Sequence, residues 1–226
     1  MSAEAVRLGR LLAELMPDEP EVLGLLALMV LIEARRPART DARGDLVRLA
    51  DQDRTRWDRA LIATGQDLLR RCLRRGQPGP YQLQAAINAV HSDAATAADT
   101  DWRQILDLYD HMAVLAPTPV VALHRAVAVA EVHGPAAALP LVDAIEGLDR
   151  HHVLHAVRGD LLRRLGRTDE AADALACAAA LTGNAAERRF LLSRLPPTRR
   201  DQGSEPGPDR GRTSGSGRPA PHGTDR

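Results

Sequence analysis

Three histidines in the second half of the chain could, by type and spacing, hold a metal ion. His151 and His155 stand four residues apart, which places both imidazoles on one helix face, and His152 lies beside them. A zinc site needs three or four protein ligands, yet no cysteine or carboxylate stands at a clear ligand spacing from this group. The segment 41–45 is faintly similar to a calcium loop, but Arg43 occupies a ligand position and no closing glutamate follows. We therefore predict no metal site.

Covalent and phosphate chemistry would need other signatures. The sequence contains no nucleophile elbow of the form G-x-S-x-G and no glycine-rich loop that could cradle phosphates. Carboxylates are numerous, but they alternate with arginines along helix-forming segments, a pattern typical of solvated charge pairs. We expect no catalytic residues and no bound cofactor, and we predict that the chain is not an enzyme.

A first candidate interaction cluster surrounds one of only two tryptophans in the chain. Arginine and tryptophan are preferred interface anchors, so the cluster could form a docking edge. Its members are Asp51, Asp53, Arg54, Arg56 and Trp57. In the alternative interpretation, Asp53 caps the following helix and Trp57 is buried in the core. We favour this alternative, because capping aspartates and buried tryptophans are common.

A second candidate is a polar stripe near the middle of the chain. Gln84, Asn88 and His91 stand at helical spacing, close to Tyr81, and form a neutral hydrogen-bonding row. Such a row could bind a peptide backbone, or it could seal polar contacts between two parts of the protein. It is also the only hint of a small-molecule sensor or an enzyme built between two helical subdomains.

A third candidate lies on a later helix. His124 and Arg125 could line the concave groove of a helical repeat, or they could lie on an ordinary, partly exposed helix surface.

The elements that must position these residues are helices. Aromatic residues make up only 2% of the chain against 44% hydrophobic residues, so the core must come from Leu, Ala and Val. Apolar residues recur at helical spacing throughout. The predicted helices cover about 5–17, 20–35, 54–75, 81–91, 101–116, 119–132, 135–145, 151–165, 168–181 and 185–195. We predict an all-α fold of antiparallel helical hairpins.

One segment departs from the helical pattern. Two short alternating runs over 38–49 flank Asp41–Asp45, where Gly44 can supply a positive φ. We predict a small β-hairpin there.

Self-similarity indicates a repeat. The turn glycines Gly134 and Gly166 are about 32 residues apart, close to the tetratricopeptide period. The prediction is a helical subdomain over 1–95, a right-handed tetratricopeptide-like array over 96–195, and a disordered Gly/Pro/Arg-rich tail over 196–226.

The bulk properties limit the partners and the location. Thirty basic residues balance thirty acidic ones, so the chain has no net charge with which to capture nucleic acid broadly. No apolar run could serve as a signal peptide or cross a membrane. Cys72 and Cys177 are expected to be buried thiols in a reducing compartment. We expect a cytoplasmic protein without direct nucleic-acid or membrane binding.

Five blocks, in order, carry a family resemblance. They are 8–28 (LGRLLAELMPDEPEVLGLLAL), 51–58 (DQDRTRWD), 78–87 (PGPYQLQAAI), 99–102 (DTDW) and 119–129 (PVVALHRAVAV). Together they resemble the C-terminal extension of a group of bacterial extracytoplasmic-function sigma factors. The resemblance covers nearly all of 1–195, although His124 stands where that family has asparagine.

In that family, a helical-repeat domain follows two sigma regions, which recognise the promoter and bind RNA polymerase. This chain begins at the extension and has neither region. The resemblance therefore implies a regulatory module of transcription initiation that contacts sigma regions or RNA polymerase, in cis or in trans. The alternatives are a general scaffold for an unrelated peptide and a truncated sigma-factor fragment without activity of its own.

Overall fold

The computed structural model describes residues 3–195, and within this range the regular secondary structure is helical. Ten α-helices follow one another: α1 (Ala3–Leu15), α2 (Pro20–Ala34), α3 (Arg59–Leu73), α4 (Pro80–Asp93), α5 (Trp102–Leu115), α6 (Pro119–His133), α7 (Pro135–Asp143), α8 (His152–Arg164), α9 (Thr168–Leu181) and α10 (Ala185–Ser193). Three short 3₁₀ turns cover Arg36–Ala38, Leu49–Asp51 and Arg54–Arg56. The predicted all-α class is confirmed. The predicted tail over 196–226 lies outside the described residues.

α2 is the central helix of the N-terminal part. It begins with Pro20, whose fixed φ suits the first helical turn, and it packs on α1, α3 and α4. Its residues are buried on nearly every side, as its unbroken apolar sequence predicts. Close approach to α4 requires Gly24, because a Cβ at this position would lie 2.8 Å from the backbone nitrogen of Gln82.

From α4 onward, each helix packs on the next one along the chain. Gly134 (φ 88°) and Gly166 (φ 74°) both have a positive φ, which glycine adopts without steric cost. Gly134 ends α6, and Gly166 lies in the turn after α8. Adjacent helical hairpins are therefore confirmed. The described residues form one compact unit, and two large buried clusters both draw residues from α4. The division at residue 95, the tetratricopeptide class and the right-handed twist stay predictions.

The predicted β-hairpin near 38–49 is wrong. The turn at its centre is present: Gly44 has φ 80°, and an Asp41 side-chain oxygen accepts hydrogen bonds from the backbone N–H groups of Arg43 (2.8 Å) and Asp45 (2.9 Å). Its flanks, however, meet only in one isolated bridge, between Thr40 and Leu46. The two flanks cannot form longer strands, because the 3₁₀ turn Arg36–Ala38 precedes the first flank and the 3₁₀ turn Leu49–Asp51 follows the second.

The predicted start of the third long helix is also wrong. Asp53 caps only a 3₁₀ turn, with its carboxylate accepting from the N–H of Thr55 at 3.0 Å. The chain then extends through Trp57, and Asp58 caps α3 by accepting from the N–H of Leu61 at 3.0 Å. Both aspartates satisfy the capping pattern, so burial of Trp57 between them decides where the helix begins.

The two cysteines have different environments. Cys72 is buried and its thiol donates to the carbonyl of Leu69, whereas Cys177 is exposed, which corrects the expectation that both are buried. Across the described part of the chain, no helix is long and apolar enough to cross a membrane.

Candidate interaction sites

The tryptophan cluster forms a buried corner with a charged rim. Arg54 is only 8% exposed and Trp57 only 3%. The Arg54 guanidinium lies 4.6 Å from the centroid of the Trp57 ring. Its Nη1 donates to the carbonyl oxygens of His91 (2.6 Å) and Ala94 (2.7 Å), which end α4. A cation at a helix C-terminus is favoured by the helix dipole, so this pair ties the 3₁₀ turn to α4.

The other members of the cluster remain at the surface. Asp51 forms an ion pair with Arg48 at 2.5 Å, Asp53 caps its 3₁₀ turn, and Arg56 is exposed. Only these three side chains of the predicted docking edge are accessible to a partner.

The α4 stripe divides between two environments. At its C-terminal end, His91 meets the edge of Trp102, with ring centroids 5.2 Å apart. Burial, together with the charges of Arg35 and Arg54, lowers the pKa of His91 to about 4. Asn88 accepts a hydrogen bond from Nη2 of the buried Arg35 at 2.5 Å. His91 is therefore partly buried and uncharged at neutral pH.

The N-terminal part of the stripe lines a cavity. Tyr81 is exposed, whereas Gln84 and Asn88 face a cavity of about 360 Å³ between α2, α4, α5 and α6, which we call the four-helix cavity. Its walls comprise Leu28, Ile32, Gln84, Ile87, Asn88, Tyr109, Met112, Thr118, Val120, Val121 and His124. The structure thus joins three of the predicted residues, from two helices, around one space.

Tyr109 was not among the predicted site residues. It lies on the apolar stripe of α5, where the sequence pattern predicts core packing. Its ring centroid is 6.2 Å from that of His124. Burial raises the pKa of Tyr109 to about 12, so the phenol keeps its proton. The pKa of His124 is lowered, because the surrounding atoms displace solvent around the ring and His151 adds a like charge. Both groups are neutral at pH 7.

Arg125 points away from this space. Its Nε donates to Asp110 on α5 at 2.5 Å, and both side chains are partly exposed. It borders a separate shallow depression between α5, α6 and α7. The adjacent predicted residues His124 and Arg125 therefore belong to different surface features.

A second concave region lies between segment 39–52 and the helices α8 and α10; we call it the terminal groove. Its volume is about 420 Å³. The lining residues are Arg39, Leu46, Val47, Arg48, Gln52, His152, Val153, Ala156, Glu187, Phe190 and Leu191. Sequence patterns could not identify it, because its two walls are at least 100 residues apart in the chain.

The terminal groove combines an apolar floor with charges of both signs. Glu187 is engaged, since its carboxylate lies 3.2 Å from Nε2 of His152 and accepts from the hydroxyl of Thr182 at 2.6 Å. Arg48 is paired with Asp51. The guanidinium of Arg39 has no hydrogen-bond or ion-pair partner within residues 3–195. One unneutralised cation therefore borders the groove.

The three histidines at the start of α8 are the residues for which we predict no metal site. His151 and His152 stack with centroids 5.4 Å apart, and Nε2 of His155 lies 2.7 Å from the carbonyl of Asp149. Within the described part of the chain, no group of three or more His, Cys, Asp or Glu side chains could hold a metal ion.

Comparison with known proteins gives one long match and one shorter one. The chain is 46% identical over 193 residues to the uncharacterized protein R00370 of Rhizobium meliloti (strain 1021). This match covers 85% of the chain but only 46% of the relative, so the chain spans about half the length of that curated protein. No solved structure matches the chain. Residues 1–73, which include α1, α2 and the whole of α3, match the family of unknown function DUF6596.

Proposed function

We propose that this chain is a helical-repeat protein-interaction module that acts in transcription initiation by contacting sigma regions or RNA polymerase. The observation that carries the proposal is the terminal groove, with its apolar floor and, at its border, the guanidinium of Arg39, which has no partner among residues 3–195.

The chemistry of the groove favours a peptide of defined character. Val153, Phe190 and Leu191 offer an apolar surface on α8 and α10 that could cover a partner's apolar side chain. Arg39 would then pair with a carboxylate, because a guanidinium gains most from a bidentate carboxylate partner. The occupant is therefore an amphipathic segment of another protein region, with apolar residues beside an aspartate or glutamate.

The assignment to transcription initiation rests on the sequence. The five blocks that resemble the extension of extracytoplasmic-function sigma factors lie in order between residues 8 and 129. The Rhizobium relative extends well beyond the match, which leaves room for further regions in cis. In a free-standing chain, the same contact would be made in trans.

The test is a binding titration of the full 226-residue chain against RNA polymerase and against isolated sigma regions from the same bacterium. We expect micromolar or tighter binding to one of them. The substitution Arg39→Glu should weaken it at least about tenfold, because it places a carboxylate against the partner's acidic residue. Arg43→Glu is the matched control, since Arg43 is exposed in the same segment but does not line the groove.

The outcomes separate the parts of the proposal. If neither polymerase nor sigma regions bind at micromolar concentration, the role in initiation is wrong. If one binds but Arg39→Glu and Arg43→Glu behave alike, the groove is not the contact surface. Binding of an unrelated protein that Arg39→Glu abolishes would indicate the general scaffold instead.

A further inference from the structure

The four-helix cavity differs from the terminal groove in its charge. Its walls carry no aspartate, glutamate or arginine. Arg35 donates to the oxygen of the wall residue Asn88 but does not itself line the cavity, and Arg125 is engaged by Asp110. A charged ligand would lose its hydration without finding a counter-ion, so the cavity disfavours ions of either sign.

Unused hydrogen-bonding capacity converges in the cavity. The Gln84 amide, the Tyr109 hydroxyl and the His124 ring have no hydrogen-bond partner among the described residues. These three groups offer both donors and acceptors and belong to α4, α5 and α6. By contrast, Asn88 uses its oxygen for Arg35 and its nitrogen for the carbonyl of Gln84. The free polar groups therefore come from three separate helices and face one space.

The remaining walls are apolar and the space is large enough for a ligand. Apart from Asn88 and Thr118, leucine, isoleucine, valine and methionine side chains supply the rest of the lining. A volume of about 360 Å³ lies within the range of small-molecule pockets, which combine apolar walls with a few placed polar groups. The exposed residues Thr118, Val120 and His124 mark the mouth.

We infer that the four-helix cavity binds an uncharged small molecule with an apolar body and amide- or hydroxyl-type polar groups. Gln84, Tyr109 and His124 supply its hydrogen bonds, and Met112 and Ile87 contact its apolar part. The inference is independent of the proposed function, since it uses a different surface and a different class of ligand.

The experiment titrates the full chain with two probes that differ in one charge. N-acetyl-L-leucinamide carries an isobutyl group and two amides, whereas N-acetyl-L-leucine replaces one amide with a carboxylate. The ring resonances of Tyr109 and His124 are followed by NMR at millimolar probe concentration. We expect saturable shifts of both rings with the amide and none with the carboxylate. Absence of any shift with the amide, or equal shifts with both probes, overturns the inference.

Matched variants test the location. Val120→Trp should obstruct the mouth and raise the Kd at least about tenfold, whereas Val114→Trp, at a site 81% exposed on α5, should leave it unchanged. Tyr109→Phe removes one hydroxyl and should raise the Kd about threefold to tenfold, with the exposed Tyr81→Phe as its control. Equal affinity across all four variants would overturn the assignment of the cavity.

Discussion

The guanidinium of Arg54 stacks on the ring of Trp57, 4.6 Å from its centroid, and both side chains are buried. The same guanidinium holds the two carbonyls that end α4. Arg54, a residue type that is common at interfaces, is thus used inside the protein, where it joins the 3₁₀ turn before α3 to the end of α4.

Replacing Arg54 with methionine should destabilise the protein strongly. The change keeps an unbranched apolar side chain but removes the guanidinium, so the carbonyls of His91 and Ala94 lose their charged donor. We expect the free energy of unfolding to fall by about 2–4 kcal/mol in urea denaturation. Arg56→Met, at an exposed site two residues away, should change it by less than about 0.5 kcal/mol. Equal effects of the two substitutions would contradict a structural role for Arg54.

Gly24→Ala tests the contact between α2 and α4. The new Cβ would lie 2.8 Å from the backbone nitrogen of Gln82, and a backbone atom inside a helix cannot move aside cheaply. We expect a loss of about 1–3 kcal/mol in the free energy of unfolding. Gly183→Ala is the control, because no atom lies within 4 Å of its Cβ position and its φ is not positive. If both variants unfold at the same denaturant concentration, α2 and α4 are not in close contact at Gly24.

His91 should make stability depend on pH in a defined direction. Its pKa is about 4 in the folded protein and about 6.5 when unfolded, so the unfolded chain binds the proton first as the pH falls. The stability contributed by neutral His91 is fully present above pH 6.5 and is lost as the pH falls towards 4. Relative to His91→Gln, the unchanged protein should lose about 2 kcal/mol between pH 8 and pH 5. If the two proteins gave parallel pH profiles in urea denaturation, folding would not lower the pKa of His91.

Arg39→Gln should separate binding from stability. Its guanidinium has no acidic partner in the described residues, and its charge acts against that of buried Arg35. Thermal and urea unfolding should therefore be unchanged or improved, within about 0.5 kcal/mol, while binding of the partner weakens. A marked loss of stability would mean that Arg39 holds segment 39–52 in place rather than meeting a partner.

Nine of the ten helices begin within two residues of the predicted start, because periodicity and capping residues are local signals. At α3 the local signal is ambiguous, since Asp53 and Asp58 are both good caps. Which aspartate caps α3 depends on the burial of Trp57 in the core, and that core is formed with residues of α2 and α4. The same distinction explains why the hairpin predicted over 38–49 is wrong. Its central turn depends only on the nearby residues Asp41 and Gly44, whereas pairing of the two strands beyond one bridge is not set by any local signal.

Local sequence patterns are enough to predict the all-helical class and the order of the helical hairpins. These follow from side-chain periodicity and from residue types that act within a few positions. Helical spacing also placed Gln84 and Asn88 on one face of α4. The packing of the folded chain is what brings Tyr109 and His124 around a cavity with them, and what places Arg39 in the same groove as Phe190. Such sites depend on how helices distant in the chain cross, and crossing is set by packing at positions such as Gly24 rather than by any local pattern.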